Sequence, residues 1–148
     1  MPYLSSKPLP DSVITCYKKD YVIITLHTGS GILTVKWLRP VDSREYRTGI
    51  KETGKILLEN NLEKLLVNNQ LMDVLTADDQ GWLAKISIEV ISKSELKYLA
   101  IVSSTNMMQQ LTNEALDVRV KQETPPFETQ YFYMERDAME WLQGIYKE

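Results

Sequence analysis

The first third of the chain contains closely spaced apolar runs of the kind that form β-strands. Residues 12–17, 21–27 and 32–38 are rich in β-branched and aromatic side chains, and short polar turns separate them. Because strands joined by such short connections pair antiparallel, these runs predict a three-stranded meander. Pro40 follows the third run and cannot donate to a continuing ladder, so the meander is expected to end there.

The rest of the chain alternates between helical and strand-like patterns. Tyr46, Ile50 and Leu57 recur at helical spacing above a polar face rich in Lys and Glu, which predicts an amphipathic helix. Asp42 or Ser43 can cap the start of this helix. The later elements are predicted as strands over residues 64–70, 96–103 and 116–120, and as helices beginning at Thr76 and covering residues 106–115 and 135–146.

Most of the large apolar side chains are assigned to packing rather than to a binding surface. Trp82 and Trp141 lie on the apolar faces of their helices, where core packing is the usual role of an aromatic residue. Trp37 lies at the end of the third strand, and it is expected to be the most exposed of the three tryptophans. The apolar residues of the helix over residues 106–115 are placed facing inward, namely Met107, Met108 and Leu111.

Composition and charge exclude several functional classes. The 148 residues are 43% hydrophobic and 25% charged, which is typical of an ordinary globular domain. A net charge of −3 provides no basic excess for a nucleic acid partner. No apolar run reaches the roughly 20 residues that cross a bilayer, and no secretion signal is present, so we expect a cytoplasmic protein without membrane insertion. The predicted organisation is an extended N-terminal arm over residues 1–11 and a single domain over residues 12–148.

The side chains that could perform catalysis are few. Cys16 is the only cysteine and His27 the only histidine, so the sequence contains neither a disulfide framework nor a cysteine-rich zinc site. In the hairpin predicted for the first two strands, Cys16 lies opposite Val22 or Ile23 and is expected to behave as a small apolar side chain. His27 would then lie roughly 13–17 Å away along the strand, too far to act as a base for the thiol. We therefore expect no enzymatic activity and no cofactor.

The junction between the strand over residues 64–70 and the next helix is the candidate functional site. Ligands and partners of α/β domains bind beyond the carboxyl ends of strands. Thr76 can cap the helix, with Asp79 three residues later, or it can accept a phosphate at the helix N-terminus. Asp78 and Asp79 favour the cap, because two carboxylates repel a phosphate.

The acids of this junction could also be considered as ligands of a hard cation. Asp73, Asp78 and Asp79 are the carboxylates concerned. Val74 and Leu75 interrupt them, and the alternating oxygen ligands of a calcium loop are absent. A solvated turn and a first helical turn explain these acids better, so no metal site is expected.

Four stretches carry a resemblance to a known family. They are Trp37 with the helix entry Asp42-Ser43-Arg44-Glu45-Tyr46, then LLVNNQLMDVLTADDQGWL over residues 65–83, YLAIV over residues 98–102 and FYMERDAMEWL over residues 132–142. Together they resemble the STAS superfamily (sulfate transporter and anti-sigma factor antagonist domains), and more narrowly the SpoIIAA-like bacterial proteins of unassigned function. The resemblance implies an α/β fold bordering on α+β, with a mixed sheet, an N-terminal antiparallel meander and about four helices packed mainly on one face.

The chain departs from this family at its regulatory turn. The anti-sigma antagonists carry an Asp-Ser-Ser-Gly-like turn whose serine is phosphorylated, but residues 72–77 contain neither Ser nor Gly. Thr76 is the hydroxyl that lies near the corresponding place. Many relatives also have Asp at the strand end where this chain has Asn68 and Asn69. The resemblance therefore implies a module without a clear phospho-switch.

The leading hypothesis is a non-enzymatic STAS-like module that recognises a protein partner through residues 71–80. Asp73, Thr76 and Asp78 form the candidate partner-binding or phosphorylation region. The alternative is a carrier of a small apolar or amphipathic ligand in an internal pocket, since some relatives are likened to lipid-transfer domains. A homodimer is also predicted, because the meander offers an open edge strand.

Overall fold

The strands form one six-stranded sheet in a computed structural model that describes residues 12–145. The arm predicted over residues 1–11 lies outside the described residues. The strands are β1 (Val13–Lys18), β2 (Val22–His27), β3 (Ile32–Trp37), β4 (Lys64–Asn68), β5 (Tyr98–Val102) and β6 (Glu128–Phe132). The helices are α1 (Ser43–Glu59), α2 (Ala77–Lys93), α3 (Met107–Lys121) and α4 (Glu135–Gln143).

The strands cross the sheet in the same order as they occur in the chain. β1, β2 and β3 pair antiparallel through short turns, which confirms the predicted meander. β3, β4, β5 and β6 pair parallel, and a helix connects each strand to the next. Parallel neighbours require such crossover connections, because the chain must return to the end of the sheet from which it started.

Three helices pack on one face of the sheet, and α4 packs on the other. Crossovers of one hand that move in one direction place their helices on the same face, which explains why α1, α2 and α3 lie together. Leu33 and Val35 of β3 belong to the core beneath these helices, whereas Ile32 packs with Ala138 and Leu142 of α4. The mixed sheet with helices mainly on one face confirms the fold that the resemblance implied.

The largest difference from the predicted elements lies after β5. Residues 116–120, predicted as a strand, instead continue α3 to Lys121. Val118 and Val120 suit a strand when considered locally, but tertiary packing overrides such propensities. β6 is absent from the predicted elements, because its sequence ETQYF is largely polar and it forms an edge strand. The inward assignment of α3's apolar residues is also wrong, since Met107, Met108 and Leu111 are all exposed.

Trp37 is buried, contrary to the prediction that it would be the most exposed tryptophan. Its side chain is 1% exposed and stacks between the rings of Tyr21 and Tyr46, with centroid distances of 6.5 and 5.1 Å. The absence of a side chain at Gly49 leaves space for the indole against α1. The predicted packing role of Trp141 is confirmed by its contacts with Tyr98 and Phe132.

Cys16 lies at an irregularity in β1 and is exposed, so its assignment as a packed apolar side chain is wrong. The register shifts between Thr15 and Tyr17, so Cys16 has neither of the predicted partners on β2. His27 pairs with Val13, three residues from Cys16 along β1, which corresponds to roughly 10 Å at the strand rise. The strand register therefore does not bring the thiol and the imidazole together.

Candidate functional site

The turn after β4 is held at the carboxyl edge of the parallel strands by hydrogen bonds to its neighbours. The Asn69 amide donates to the Val102 carbonyl at the end of β5 (2.7 Å). The side chain of Gln109, a buried residue of α3, donates to the carbonyls of Asn69 and Met72 at 3.1 Å each. The Gln70 side chain donates to the Tyr133 carbonyl just beyond β6. Hydrogen bonds thus connect the segments that follow β4, β5 and β6.

Thr76 is the N-cap of α2, as the sequence predicts. Its hydroxyl accepts a hydrogen bond from the Asp79 amide at 3.2 Å. The carboxylate of Asp79 does not close the reciprocal half of a capping box; it accepts from the Ser43 hydroxyl at 2.7 Å and from Arg47 Nε at 3.0 Å. At the start of α1 the full capping box is present, between Asp42 and Glu45. Asp79, which lies in the predicted binding region over residues 71–80, therefore links α2 to α1 through these two contacts.

The two predicted site residues with acidic side chains, Asp73 and Asp78, are exposed. Asp73 and Thr76 line a cleft of about 280 Å³ that also reaches Asp42 and Ser43 at the start of α1. Asp78 lies on the exposed side of the first turn of α2. Within residues 12–145, no three His, Cys, Asp or Glu side chains are placed to hold a metal ion together.

A small polar pocket of about 40 Å³ lies beneath the same turn. Gln109, Thr112 and Asn113 of α3 line it on one side, and Asp73 lines it from the turn. The Nδ2 atom of Asn113 is buried there without a hydrogen-bond partner. The sequence does not predict this pocket, because the inward face of the helix over residues 106–115 is predicted from its apolar residues alone.

An apolar cavity of about 160 Å³ lies between α1, α2 and the sheet. Val67, Leu99 and Ile101 form its floor, and they remain partly exposed although they occupy the centre of the sheet. The helical walls are built from aliphatic side chains together with two hydroxyls, and the lining residues of these walls are Ile50, Thr53, Gly54, Leu57, Leu83, Ile86, Ser87, Val90 and Ile91. In the sequence, the spacing of Trp82, Ile86 and Val90 predicts an apolar face on this helix, but it does not predict a cavity beneath that face.

Tyr46 connects these spaces, because it lines the cleft, the polar pocket and the apolar cavity. Burial raises the pKa of the Tyr46 phenol above its ordinary value, and the negative charge of Asp79 raises the pKa further. The phenol is therefore neutral at physiological pH, and its hydroxyl can both donate and accept a hydrogen bond. Asn69 also lines the apolar cavity and the polar pocket, so the cavity has one polar end.

The fold is shared with a solved structure, that of an uncharacterized protein of the DUF3478 family with a SpoIIAA-like fold from Shewanella loihica PV-4. The superposition covers 88% of this chain and 92% of that chain, with a TM-score of 0.54 and 18% sequence identity. The chain has a SpoIIAA-like fold. No protein-family model and no curated protein sequence matches it. At 18% sequence identity, the similarity to this solved structure supports a shared fold and nothing beyond the fold. Among residues 12–145, no helix is both long and apolar enough to cross a membrane.

Proposed function

We propose that this protein is a non-enzymatic carrier of a small apolar or amphipathic ligand, bound in the cavity between α1, α2 and the sheet. The observation that supports this function is the cavity itself, which has about 160 Å³ of space inside an aliphatic lining. An engineered cavity of about 150 Å³ in another protein binds benzene, so a single ring or a short alkyl chain is a suitable occupant.

The packing of the cavity lining supports the same conclusion. The aliphatic side chains that line the cavity lack packing partners on the side that faces the open space, so they forgo dispersion contacts there. A larger side chain at Ser87 would fill part of the space, yet this position carries a small residue. A bound ligand would recover the lost contacts.

The polar end of the cavity indicates an amphipathic rather than a purely apolar ligand. Tyr46 and Asn69 stand where the aliphatic cavity meets the polar pocket beneath the turn. Phenol and amide groups at one end of an aliphatic site orient a ligand through a few directed hydrogen bonds. The proposed ligand therefore has an apolar body and one hydrogen-bonding group, such as a carboxyl or hydroxyl.

Filling the cavity from within tests this function. Ser87→Leu places an isobutyl group in the cavity, and Ser92→Leu makes the same change at an exposed position of α2. Native mass spectrometry of gently purified protein should find a retained small molecule in wild type and in Ser92→Leu, but not in Ser87→Leu. Octanoic acid, titrated as a probe, should shift the methyl NMR signals of Val67 and Val90 in the same two proteins. Equal responses from all three proteins would refute the assignment of the cavity.

A second function, recognition of a protein partner, is favoured by the exposed apolar residues of the turn. Leu71 is 53% exposed and Val74 36% exposed, on a turn that hydrogen bonds hold in place. Asp73, Thr76 and Asp78 remain the proposed contact residues. The double variant Asp73→Ala with Thr76→Ala should lose capture of a host protein that Asp73→Asn with Thr76→Ser retains, since Ser keeps the cap. Loss of the cap alone costs about 1 kcal/mol. If both variants capture the same proteins, the turn is not the binding site.

A further inference from the structure

The polar pocket beneath the turn after β4 contains a buried hydrogen-bond donor that the protein itself does not use. Asn113 lies in the middle of α3, and the Nδ2 atom of its side chain has no hydrogen-bond partner among residues 12–145. Nearly all buried polar groups of folded proteins have a partner, because an unsatisfied group costs free energy. Since Nδ2 is a donor, a ligand that satisfies it must offer an acceptor.

A second amide on the same side of α3 is fully occupied by the protein. Gln109 lies one turn before Asn113 and lines the same pocket. Its Nε2 atom donates to the carbonyls of Asn69 and Met72, and its Oε1 atom accepts from the Ser104 amide at 2.9 Å. The Gln109 side chain is therefore committed to holding the structure, whereas the Nδ2 atom of Asn113 is available to a ligand.

Tyr46 provides a second donor and connects the pocket to the apolar cavity. Its side chain lines both spaces, and its neutral phenol can donate a hydrogen bond. A ligand whose apolar body occupies the cavity can therefore extend its polar end past Tyr46 towards Asn113. The pocket has a volume of about 40 Å³. Because one water needs roughly 10–15 Å³ of such space, the pocket suits a polar group of only a few atoms.

The charges around the two spaces favour an uncharged group. Among residues 12–145, no lysine, arginine or histidine lines the polar pocket or the apolar cavity, whereas Asp73 lines the pocket from the turn. An ionised carboxylate would lose its hydration without gaining a counter-charge, and it would also face the carboxylate of Asp73. An ammonium group could pair with Asp73, but it offers no acceptor and would leave the Asn113 donor unsatisfied.

We propose that the polar pocket recognises an uncharged carbonyl group at the polar end of the ligand, with the carbonyl oxygen accepting from Asn113 Nδ2 and from the Tyr46 hydroxyl. This inference rests on the proposed carrier function and narrows its ligand. A carbonyl oxygen has two lone pairs, so it can accept both hydrogen bonds. A carboxamide suits the pocket best, because its N–H groups can donate to Asp73. A carboxylic acid fits in its protonated form.

Two probes of equal chain length test the preference for an uncharged group. Octanamide and octanoate differ at the head group, and octanoate is ionised at pH 7. Isothermal titration calorimetry of the wild-type chain should give a Kd at least about tenfold lower for octanamide than for octanoate, because of the cost of burying the charge. Bound octanamide should also shift the methyl NMR signals of Val67 and Val90, which line the cavity.

Removal of the donor tests the role of Asn113. Asn113→Ala should weaken octanamide binding about tenfold, since it removes a buried hydrogen bond, and should leave octanoate binding almost unchanged. Gln122→Ala is the control, because it truncates an exposed amide at the end of α3 and should bind both probes as wild type does. In the wild-type chain, octanamide should move the side-chain amide NMR signal of Asn113, a readout that needs no variant. Circular dichroism confirms that both variants fold.

The possible outcomes separate this inference from the carrier function. The carbonyl assignment is overturned by a wild-type chain that prefers octanoate or by an Asn113 amide signal that does not respond to octanamide. It is also overturned by an Asn113→Ala variant that binds octanamide as tightly as wild type. In these cases, methyl shifts at Val67 and Val90 still support the carrier. If neither probe shifts those methyl signals, the carrier function fails, and the carbonyl assignment fails with it.

Discussion

Arg47 and Asp79 join the first turns of α1 and α2 through an ion pair of 3.0 Å in which the carboxylate is 6% exposed. The Ser43 hydroxyl donates to the second carboxylate oxygen at 2.7 Å, so both oxygens are occupied. The guanidinium of Arg47 also lies 5.1 Å from the ring centroid of Trp82. This cluster fixes the distance between the two helices that wall the apolar cavity.

Arg47→Ala is expected to lower the free energy of unfolding by about 2 kcal/mol. The substitution leaves the nearly buried Asp79 carboxylate with its hydrogen bond from the Ser43 hydroxyl but without the opposite charge. The loss is smaller than for a fully buried pair because Arg47 is 36% exposed. Urea denaturation measures the change. Lys93→Ala is the control, since it removes an exposed pair with Glu89 at 3.8 Å and should change stability by less than about 0.5 kcal/mol. Equal losses of stability in the two variants would show that the Arg47–Asp79 pair contributes no more than an exposed ion pair.

Gly49→Ala is expected to destabilise the protein by about 1–3 kcal/mol, through overpacking. A methyl group there would lie 2.5 Å from Cη2 of Trp37, which is itself confined by Tyr21 and Tyr46. Gly81→Ala is the matched control on α2, where a methyl group meets no atom within 4 Å. This control should stabilise the protein by roughly 0.5–1 kcal/mol, because Ala restricts the unfolded chain and favours a helix. The melting temperatures of the two variants should therefore move in opposite directions.

Asn68→Asp is expected to destabilise the protein at neutral pH. The buried Asn68 amide donates to Glu135 at 2.9 Å and to Gln70 at 3.3 Å, and a carboxylate in its place would face another carboxylate. We expect a loss of about 1–3 kcal/mol. Adding Glu135→Gln should recover most of it, because the glutamine amide can donate to the new acid. A double variant no more stable than Asn68→Asp would contradict this account.

The raised pKa of Tyr46 predicts a specific alkaline sensitivity. Burial and then the charge of Asp79 raise the pKa in the folded protein, so the folded state favours the neutral phenol. The corresponding stability is fully present below the unfolded tyrosine pKa of about 10 and is lost as the pH rises through the folded value. Tyr46→Phe should therefore lose less stability than wild type between neutral pH and about pH 11. Denaturant midpoints at both pH values measure the difference, and identical losses would mean that Tyr46 does not titrate on unfolding.

The sequence was sufficient to predict the elements whose patterns are local. The three strands of the meander, the start of α1 at Asp42 or Ser43 and the Thr76 cap of α2 all follow from residues that are close together in the chain. The resemblance of four stretches to SpoIIAA-like proteins also indicated the fold, which the superposition on the solved SpoIIAA-like structure supports. Periodicity and capping depend on residues within a few positions of one another, so they can be recognised in the sequence without knowledge of tertiary packing.

The parts that could not be predicted depend on contacts between distant residues. Trp37 is buried because Gly49, twelve positions later, leaves room for its ring. α3 exposes Met107, Met108 and Leu111, whereas its Gln109 is buried and donates to the turn after β4, a contact 40 residues apart in sequence. The apolar cavity depends on how far α1 and α2 stand from the sheet, a distance that no periodicity encodes. The Arg47–Asp79 pair likewise joins two helices whose mutual position is set by packing.

The order of the strands has a consequence for how the chain can fold during synthesis. Each strand pairs with the strand that precedes it in the chain, so no later strand has to enter between two earlier ones. The antiparallel hairpins involve nearby residues and can form as soon as they leave the ribosome. Every subsequent βα unit then adds to an edge that already exists, and α4 covers the second face last. The sheet can thus extend strand by strand from one edge, while β1 remains at the other edge throughout.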